Sequence, residues 1–360
     1  MFMFLVGLSA GGLVVASSGE VFNVPRLKPL APLAIWLSLI CIGLAALEII
    51  PDLGSPQRLY ALLLSPQANS PLIWDLVIIS TYMVICVVYL WLHARAATTA
   101  QPEKYEIWVH RLAFVALPAA VLVHSITAWI FGLQISRSYW YSALLAPAFL
   151  AGALVSGLAL VILAVMLARR VKIINVNDSL VSWLAQLLAA FIAVDLFFTF
   201  SELLTRLYPA AQLENLPALI LLTGRYASPF WIEVLVCGLL PFILLAVKNW
   251  RVRMPVVGIA ASLAIVGIFL FRFNLLMAGF AYPLTAFPAG IQVGQVLPWT
   301  RLDNIPQYVT VLGGPLQLSY PYSPTILELA VVVGLLAAGA FVWLLGLQLL
   351  PLRTHNEAKT

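Results

Sequence analysis

The sequence contains very little charge. Only 9% of its 360 residues are Asp, Glu, Lys or Arg, 63% are hydrophobic, and the mean hydropathy is +1.02. Soluble domains carry about 25% charged residues, so the composition excludes a soluble globular protein and a disordered chain. The apolar runs are too long and unbroken for the alternating strands of a membrane barrel. The sequence therefore predicts an all-α polytopic membrane protein.

Cysteine and histidine are also scarce. Cys41, Cys86 and Cys237 lie inside apolar runs and form no CxxC pair, which argues against a disulfide framework, a zinc site or an iron–sulfur cluster in this chain. His110 and His124 have the spacing to stack two haems on one helix, but each haem would need a second axial ligand from another helix. We expect no metal and no haem in this chain.

The apolar runs predict about nine transmembrane helices. An odd number of spans places the two termini on opposite faces of the membrane. The connections and the tail on the C-terminal side hold twelve Lys and Arg residues, and the other side, with its adjoining helix ends, holds six. The positive-inside rule therefore predicts an outside N-terminus and a cytoplasmic C-terminus. This basic pattern, rather than nucleic-acid binding, explains the net charge of +5. The predicted spans are 2–22, 30–50, 72–94, 107–133, 141–168, 181–207, 228–247, 256–278 and 326–349.

Three long loops are predicted on the outer face, over residues 51–71, 208–227 and 279–324. Loops of more than about 12–15 residues without secondary structure usually bind something. We expect these loops either to cover the helix ends or to form a docking surface for another subunit.

Charged residues in the second half share one helix face. Asp195, Glu202 and Arg206 fall at i, i+7 and i+11, together with Thr199. A charge at mid-bilayer costs about 2.5–3.5 kcal/mol, so this face must point into the protein. One interpretation is a set of interhelical ion pairs, such as Glu202 with Arg272 and Arg206 with Glu233. The other is a proton path or gate, with the following candidate members: Asp195, Glu202, Arg206, Glu233 and Arg272.

The first half combines polar and aromatic residues with a glycine-rich helix. Asp75 begins the third span beside Trp74, with Tyr82, Cys86 and Tyr89 on its face. Asp75 could complement the helix dipole and His124, in the fourth span, could bond a neighbouring helix. A quinone, however, needs apolar walls and one or two polar groups for its carbonyl oxygens. Asp75 and His124, beside the small residues of the first span, are candidates for such a site. Further aromatic candidates for its walls are Trp74, Tyr82, Trp129 and Trp140.

Several stretches together resemble the NrfD/PsrC family, the polysulfide-reductase-type membrane subunits. Their order and spacing carry the resemblance, because each alone is a weak apolar motif. The stretches are FLVGLSAGG at 4–12, SPLIWDLVIIS at 70–80, VHSITAWIFGLQ at 123–134, WYSALLAPAFLAGALVSGLAL at 140–160, SELLTRLY at 201–208, RFNLLMAGF at 272–280 and YSPTILELA at 322–330.

The resemblance implies two consecutive four-helix bundles plus one extra helix. The first bundle would cover residues 1–135 and contain a quinone site near the outer face. The second, over 136–278, would contain the proton path; an extracytoplasmic loop at 279–325 and the last helix and tail at 326–360 would follow. The quinone-side polar groups carried over are Asp75, His124 and Gln134, and the wall residues are Gly11, Trp74 and Trp140.

The resemblance also implies partners. A ferredoxin-like iron–sulfur subunit would dock at the outer face, with a molybdopterin catalytic subunit beyond it. The expected function is therefore a membrane anchor subunit of a respiratory oxidoreductase in the cytoplasmic (inner) membrane. It would exchange electrons between quinone, either menaquinone or ubiquinone, and the iron–sulfur partner, with or without coupled proton movement. The alternatives are an ion or proton transporter and a purely structural anchor without quinone chemistry.

Overall fold

The computed structural model describes residues 1–52, 57, 59–135, 137, 139–174, 176–208, 212–224, 226–281 and 325–349. Within these ranges the chain forms nine helices that are long and apolar enough to cross a membrane, and it contains no strand. The predicted all-α, nine-span architecture is confirmed. The predicted outer loop at 279–325 and the tail fall almost wholly outside the described residues, as does part of the loop at 51–71.

The observed helices agree with the predicted spans to within a few residues. Shorter helices cover Lys28–Leu30, Leu59–Leu64, Gln212–Leu222 and Lys248–Arg251. The nine long helices are α1 (Phe2–Val21), α2 (Ala31–Asp52), α3 (Pro71–Thr98), α4 (Pro102–Gly132), α5 (Leu145–Arg170), α6 (Asp178–Leu207), α7 (Ala227–Ala246), α8 (Met254–Ala281) and α9 (Ile326–Leu349).

Local sequence explains where several helices begin and end. Pro71 and Pro102 stand in the first turn of α3 and α4, where a missing backbone N–H costs nothing. Arg169 and Arg170 close α5, where positive charge complements the helix dipole. Between these ends the apolar residues form helices because only intrahelical hydrogen bonds satisfy the backbone in lipid.

The helix ends gather at two faces, which we name by one residue each. At the Met1 end, the terminal amino group lies 3.6 Å from Glu48 near the end of α2. At the Arg170 end, Lys28 and His110 both approach Glu20, the penultimate residue of α1. Placing the Met1 end outside and the Arg170 end in the cytoplasm remains a prediction from the basic residues.

Helix α1 is the most buried span and lies against α2, α4 and α5. One buried apolar cluster extends from Phe4 of α1 to Leu347 of α9 and includes residues of both predicted bundles. A second apolar cluster, around Trp140 and Leu275, lies towards the Met1 end. The division of the chain into two bundles remains a prediction, and the two halves share the interface between α1 and α5.

Two glycines allow α1 and α5 to cross in direct backbone contact. A Cβ built on Gly157 would lie 2.5 Å from the Gly11 Cα, and one built on Gly11 would overlap the Ala153 carbonyl oxygen. Small residues permit such close approach between membrane helices. Gly11, predicted as a wall of the quinone site, lies in this helix crossing.

We expect Gly157→Ala to lower the thermal unfolding temperature of the purified protein in detergent. The added methyl group overpacks a rigid backbone contact, which typically costs about 1–3 kcal/mol. Gly43→Ala is the matched control, because its Cβ would meet no atom within 4 Å and alanine favours the helix. Equal unfolding temperatures for the two variants would show that the crossing tolerates a side chain.

Candidate functional site

A buried histidine and a buried arginine contact each other near the Met1 end. Arg272 of α8 places Nη2 2.9 Å from Nε2 of His124 and donates to the Phe149 carbonyl oxygen at 3.2 Å. A guanidinium can only donate hydrogen bonds, so Nε2 of His124 must be the acceptor. The proton of the neutral imidazole therefore belongs on Nδ1. This nitrogen is buried and has no hydrogen-bond partner among the described residues.

Aromatic rings and a glycine enclose this pair. The guanidinium carbon of Arg272 lies 3.5 Å from the centre of the Phe149 ring and 5.0 Å from that of Phe271, so two π faces stabilise the buried charge. The ring of His124 lies 5.4 Å from that of Phe149. A Cβ on Gly7 would come within 3.2 Å of the imidazole, so only glycine leaves the ring this position without displacement.

A buried carboxyl group lies one helical turn away. Asp75, in the second turn of α3, accepts a hydrogen bond of 2.8 Å from Thr127 Oγ1. Thr127 follows His124 by three residues on α4, a rise of about 4.5 Å on the same face. The structure therefore brings together Asp75 and His124, two of the predicted quinone-side groups. We name Asp75, Thr127, His124 and Arg272 the His124 site.

Trp74 and Gln134 stand at the surface of the Met1 end. Trp74 is 40% exposed and donates its indole N–H to the Ala68 carbonyl oxygen at 2.7 Å. Gln134 is exposed just beyond the end of α4. Both positions suit the boundary between lipid and water, where amphipathic side chains accumulate. Their contact with a quinone remains a prediction.

Trp140 is engaged in packing between the segment before α5 and the end of α8. Its indole N–H donates to the Leu275 carbonyl oxygen at 2.9 Å. Its ring meets Phe131 and Phe280 edge to face, at centroid distances of 5.2 and 5.0 Å. The role of Trp140 as a quinone wall is likewise still a prediction.

Glu202 and Arg206 form an ion pair of their own near the Met1 end of α6. Arg206 Nε donates to Glu202 at 2.6 Å, Ser142 donates to the same carboxylate at 3.0 Å, and Arg206 also donates to the Tyr139 carbonyl oxygen. Burial raises the pKa of the Tyr139 phenol, so it stays neutral beside the pair. The expected pairing of Glu202 with Arg272 is wrong, because the pair within one helix satisfies Glu202 locally.

The other predicted path residues meet between α5, α6, α7 and α8. Asn274 donates to Glu233 at 2.6 Å. Asp195 Oδ1 and Arg272 Nη2 both border Gly152, at 3.5 and 3.4 Å from where its Cβ would be. Asp195 and Glu233 also line a cavity of about 10 Å³, which has room for about one water molecule. We name it the α5–α8 cavity.

The backbone of α7 is irregular at this cavity. Residues Ile232–Leu239 form a π-helical stretch that carries Glu233 and Cys237. Pro241 follows, and proline disturbs the helical hydrogen bond to the residue four positions earlier, here Cys237. Such π-helical stretches occur frequently at functional sites. This irregular turn gives Glu233 its position beside Asn274.

Arg272 lies between the predicted quinone-side residues and the predicted proton-path residues. It bonds His124 on one side and lies beside Asp195 on the other. The sequence did not predict this contact. It placed Gly7 among the small residues of the first span and Thr127 on the helix of His124, but assigned neither of them a role in the site. A signal for both exists in hindsight, since Gly7 precedes Gly11 by one turn and Thr127 follows His124 by one turn.

In the part of the chain that the structure describes, no group of three or more His, Cys, Asp or Glu residues is placed to hold a metal ion. The polar groups of the His124 site are instead donors and acceptors for hydrogen bonds and protons.

Comparison with known proteins identifies the family of this chain. The family described as "Polysulphide reductase, NrfD" matches residues 1–283, which include α1 to α8. The chain belongs to the NrfD family. The match ends before α9, so the NrfD region contains both the His124 site and the α5–α8 cavity.

Three relatives of this NrfD chain are similar over nearly its whole length. The putative membrane subunit of a dimethyl sulfoxide reductase from Halobacterium salinarum is 32% identical, and the alignment covers 98% of this chain and 82% of the relative. One of the subunits of the selenate reductase of Mesobacillus selenatarsenatis is 27% identical, with 97% and 84% covered. An Hdr-like menaquinol oxidoreductase integral membrane subunit of Archaeoglobus fulgidus is 27% identical, with 97% and 82% covered. The names of all three relatives describe subunits of oxidoreductases.

Proposed function

We propose that this NrfD-family chain is the membrane subunit of an oxidoreductase complex and exchanges electrons between membrane quinone and an iron–sulfur partner. The names of the three relatives support the oxidoreductase complex, and one of them names menaquinol. The observation that carries the proposal is the buried, unpartnered Nδ1 of His124 beside the buried carboxyl group of Asp75.

These residues fit a quinone, either menaquinone or ubiquinone. When bound, the quinol form supplies two electrons and two protons. His124 would hold a ring oxygen through its Nδ1–H, because Arg272 occupies Nε2 as a donor. Asp75 would accept a proton, with Thr127 orienting its carboxyl group. Under this assignment His124 is a hydrogen-bond donor, and Asp75 is the proton acceptor.

The partners follow from this role. A ferredoxin-like iron–sulfur subunit would dock at the Met1 end, close to the His124 site, and a molybdopterin catalytic subunit would lie beyond it. The basic residues at the Arg170 end support a cytoplasmic position for that end and an outside position for the Met1 end, in the cytoplasmic membrane.

Binding of a quinol analogue to the purified complex tests the quinone site. We expect His124→Ala to weaken binding by up to about tenfold, the value of one net hydrogen bond. Ser125→Ala is the matched control, because Ser125 bonds only the Val121 carbonyl oxygen within its own helix. An affinity in His124→Ala equal to that in Ser125→Ala would remove His124 from the site and favour a purely structural anchor.

We also propose that the α5–α8 cavity is part of a proton path coupled to electron transfer. Asp195 and Glu233 line this cavity, and Arg272 and Asp195 both border Gly152. Glu202 and Arg206 would continue the path towards the Met1 end. An isolated buried carboxyl group is costly in a membrane, so two of them beside a water-sized cavity support a role in proton movement.

Asp195→Asn should reduce the number of protons released per electron during quinol oxidation in liposomes, and should leave quinol-analogue affinity unchanged. The amide keeps the shape of the carboxyl group but cannot carry a proton at this position. Asp178→Asn on the same helix is the control, since Asp178 is 63% exposed in a surface ion pair. An unaltered proton-to-electron ratio in Asp195→Asn would contradict the proposed path.

The same cavity favours one second candidate function, a proton or ion transporter. Proton or ion flux through liposomes containing the full chain, with no quinol and no redox partner, would support that function. Flux that requires quinol oxidation would support the coupled oxidoreductase instead.

A further inference from the structure

Helix α3 carries a series of polar residues along its inward face across the membrane. Asp75, Tyr82, Cys86, Tyr89 and His93 are spaced by seven, four, three and four residues and thus share one side of the helix. They span about 27 Å at 1.5 Å per residue, close to the thickness of the hydrocarbon core. We name these five residues the α3 polar face.

The rest of α3 faces outward with apolar side chains. Val77, Val84 and Val87 are 53–62% exposed, whereas Tyr82, Cys86 and Tyr89 are completely buried. A span that needed only to pack and to face lipid would have apolar residues on both sides. The buried side of α3 is therefore the exceptional one, because it collects the hydroxyl and thiol groups.

The middle of the α3 polar face is hydrogen-bonded to α1. The Ser9 hydroxyl donates to the Ser38 carbonyl oxygen at 2.6 Å and lies 2.9 Å from the Tyr82 hydroxyl, which donates to the Ser9 carbonyl oxygen at 2.9 Å. Cys86 follows Tyr82 by one turn on the same face of α3. Ser9 follows Gly7, which lies against His124, by two residues or about 3 Å of rise. This group therefore lies about half a helical turn from the α1 residue that contacts His124.

The lower part of the face contains two buried polar atoms without partners. The Tyr89 hydroxyl and His93 Nε2 have no hydrogen-bond partner among the described residues, although their rings lie 5.0 Å apart. A buried unsatisfied polar group costs about 1–3 kcal/mol, and native proteins retain few of them. Two unsatisfied polar atoms on neighbouring residues of the α3 polar face indicate a role that packing alone does not explain.

A charged cluster lies at the Arg170 end, where the α3 polar face ends. Glu20 of α1 lies 3.2 Å from Lys28 Nζ and 3.5 Å from His110 Nδ1, at the end of the molecule where His93 lies near the end of α3. Glu20 itself is nearly buried, whereas the side chains of Lys28 and His110 are 40% and 52% exposed. We name Glu20, Lys28 and His110 the Glu20 cluster, which connects the buried face to water.

We infer that the α3 polar face and the Glu20 cluster form a proton path between the His124 site and the Arg170 end. This inference rests on the proposed function, since it assigns a route to the protons that Asp75 exchanges there. Only protons follow this route, and the two electrons pass to the iron–sulfur partner. Each hydroxyl accepts a proton on a lone pair and donates its own, so no group on the path changes oxidation state.

This path differs from the one proposed at the α5–α8 cavity. It lies on α1, α3 and α4 and contains no charged group between Asp75 and the Glu20 cluster. The path through α3 would exchange the protons of the quinone itself, whereas the α5–α8 cavity would move protons coupled to the same reaction. The two paths predict different sensitive residues.

The thiol of Cys86 provides a test that needs no quinone. In a Cys41→Ala/Cys237→Ala full-length protein, the S–H stretching band in the infrared reports only Cys86. After transfer into D₂O, we expect this thiol to exchange its proton rapidly, and Tyr89→Phe to slow the exchange at least tenfold. Tyr105→Phe, a half-buried tyrosine at the same end that is outside the path, should leave the rate unchanged.

Comparison with a second thiol separates a connected path from a polar face that is merely buried. A Cys86→Ala/Cys237→Ala protein reports Cys41, a buried thiol in the apolar core. Exchange at Cys86 no faster than at Cys41, or equal rates in Tyr89→Phe and Tyr105→Phe, would overturn the inference. Loss of quinol-analogue binding in the wild type would refute the proposed function but would leave this exchange measurement intact.

A second measurement tests whether the α3 polar face carries the protons of the quinone during turnover. The complex is reconstituted in one orientation in vesicles that carry pH dyes in both compartments, and quinol is supplied. We expect the compartment at the Arg170 end to exchange the protons of the quinone in the wild type and Tyr105→Phe, and this exchange to fall at least tenfold in Tyr89→Phe. The same rate and compartment in Tyr89→Phe as in the wild type would contradict the path.

Discussion

Asp75→Asn should lower quinol-dependent electron transfer by about 10²–10⁴-fold, the usual contribution of a positioned proton acceptor. The amide occupies the same volume and can still bond Thr127, so the α3–α4 contact survives. It cannot, however, accept the proton that must leave the quinol with each electron. Turnover of the reconstituted complex measures the effect, and quinol-analogue affinity should change far less than the rate.

Two comparisons sharpen this expectation for Asp75. Thr127→Val keeps the carboxyl group and removes its hydrogen-bond donor, so a smaller loss of rate is expected. Glu103→Gln changes an exposed acid at the Arg170 end of α4 and should have no effect. A fall in turnover for Asp75→Asn no larger than that for Glu103→Gln would exclude Asp75 as the proton acceptor.

Arg272→Met should be the most destabilising single change in the charged core. It leaves the carboxyl group of Asp195 without its nearby buried cation, and removing one partner of a buried charge group costs about 3–5 kcal/mol. It also frees Nε2 of His124, so the imidazole can place its proton on either nitrogen. We expect a much lower thermal unfolding temperature and weaker quinol-analogue binding.

Matched variants separate charge from geometry at Arg272. Arg272→Lys keeps the charge but loses the planar, multi-donor guanidinium that stacks on Phe149, so it should recover stability only in part. Arg169→Met breaks the surface ion pair between Arg169 and Asp178. Such a pair contributes about 0–1 kcal/mol, so the unfolding temperature should change very little.

A double variant tests whether Arg272 and Asp195 interact. Arg272→Met/Asp195→Asn should be more stable than the sum of the two single changes predicts, because it removes both charges together. Strict additivity of the two losses in unfolding temperature would mean that the two residues act independently.

The transmembrane architecture could be predicted from the sequence because lipid imposes a strong length requirement. Nine apolar runs became nine helices, and Pro71 and Pro102 mark the beginning of α3 and α4. The shared face of Asp75, Tyr82, Cys86 and Tyr89 was also predictable, because helix geometry alone fixes which residues of one span align.

The partners of the polar residues were not predictable in the same way. Arg272 and His124 are 148 residues apart in sequence, and their contact depends on how α8 packs against α4 and α5. Glu202 pairs with Arg206, four residues later on the same helix, instead of with the residue expected from another helix. The π-helical stretch at Glu233 has no clear signature beyond Pro241, and Gly11 could not be assigned to a helix crossing rather than a ligand wall without knowing that Gly157 faces it.

The crossing of α1 and α5 has a consequence for biogenesis. Helix α1 is synthesised before α5, with which it makes direct backbone contact, and three further spans leave the ribosome between the two. Until α5 is inserted, the glycine-rich side of α1 lacks its complementary surface and contacts lipid or the insertion machinery instead. The final arrangement of the first four helices is therefore set after α5 enters the membrane, so the order of translation and the order of assembly differ in this protein.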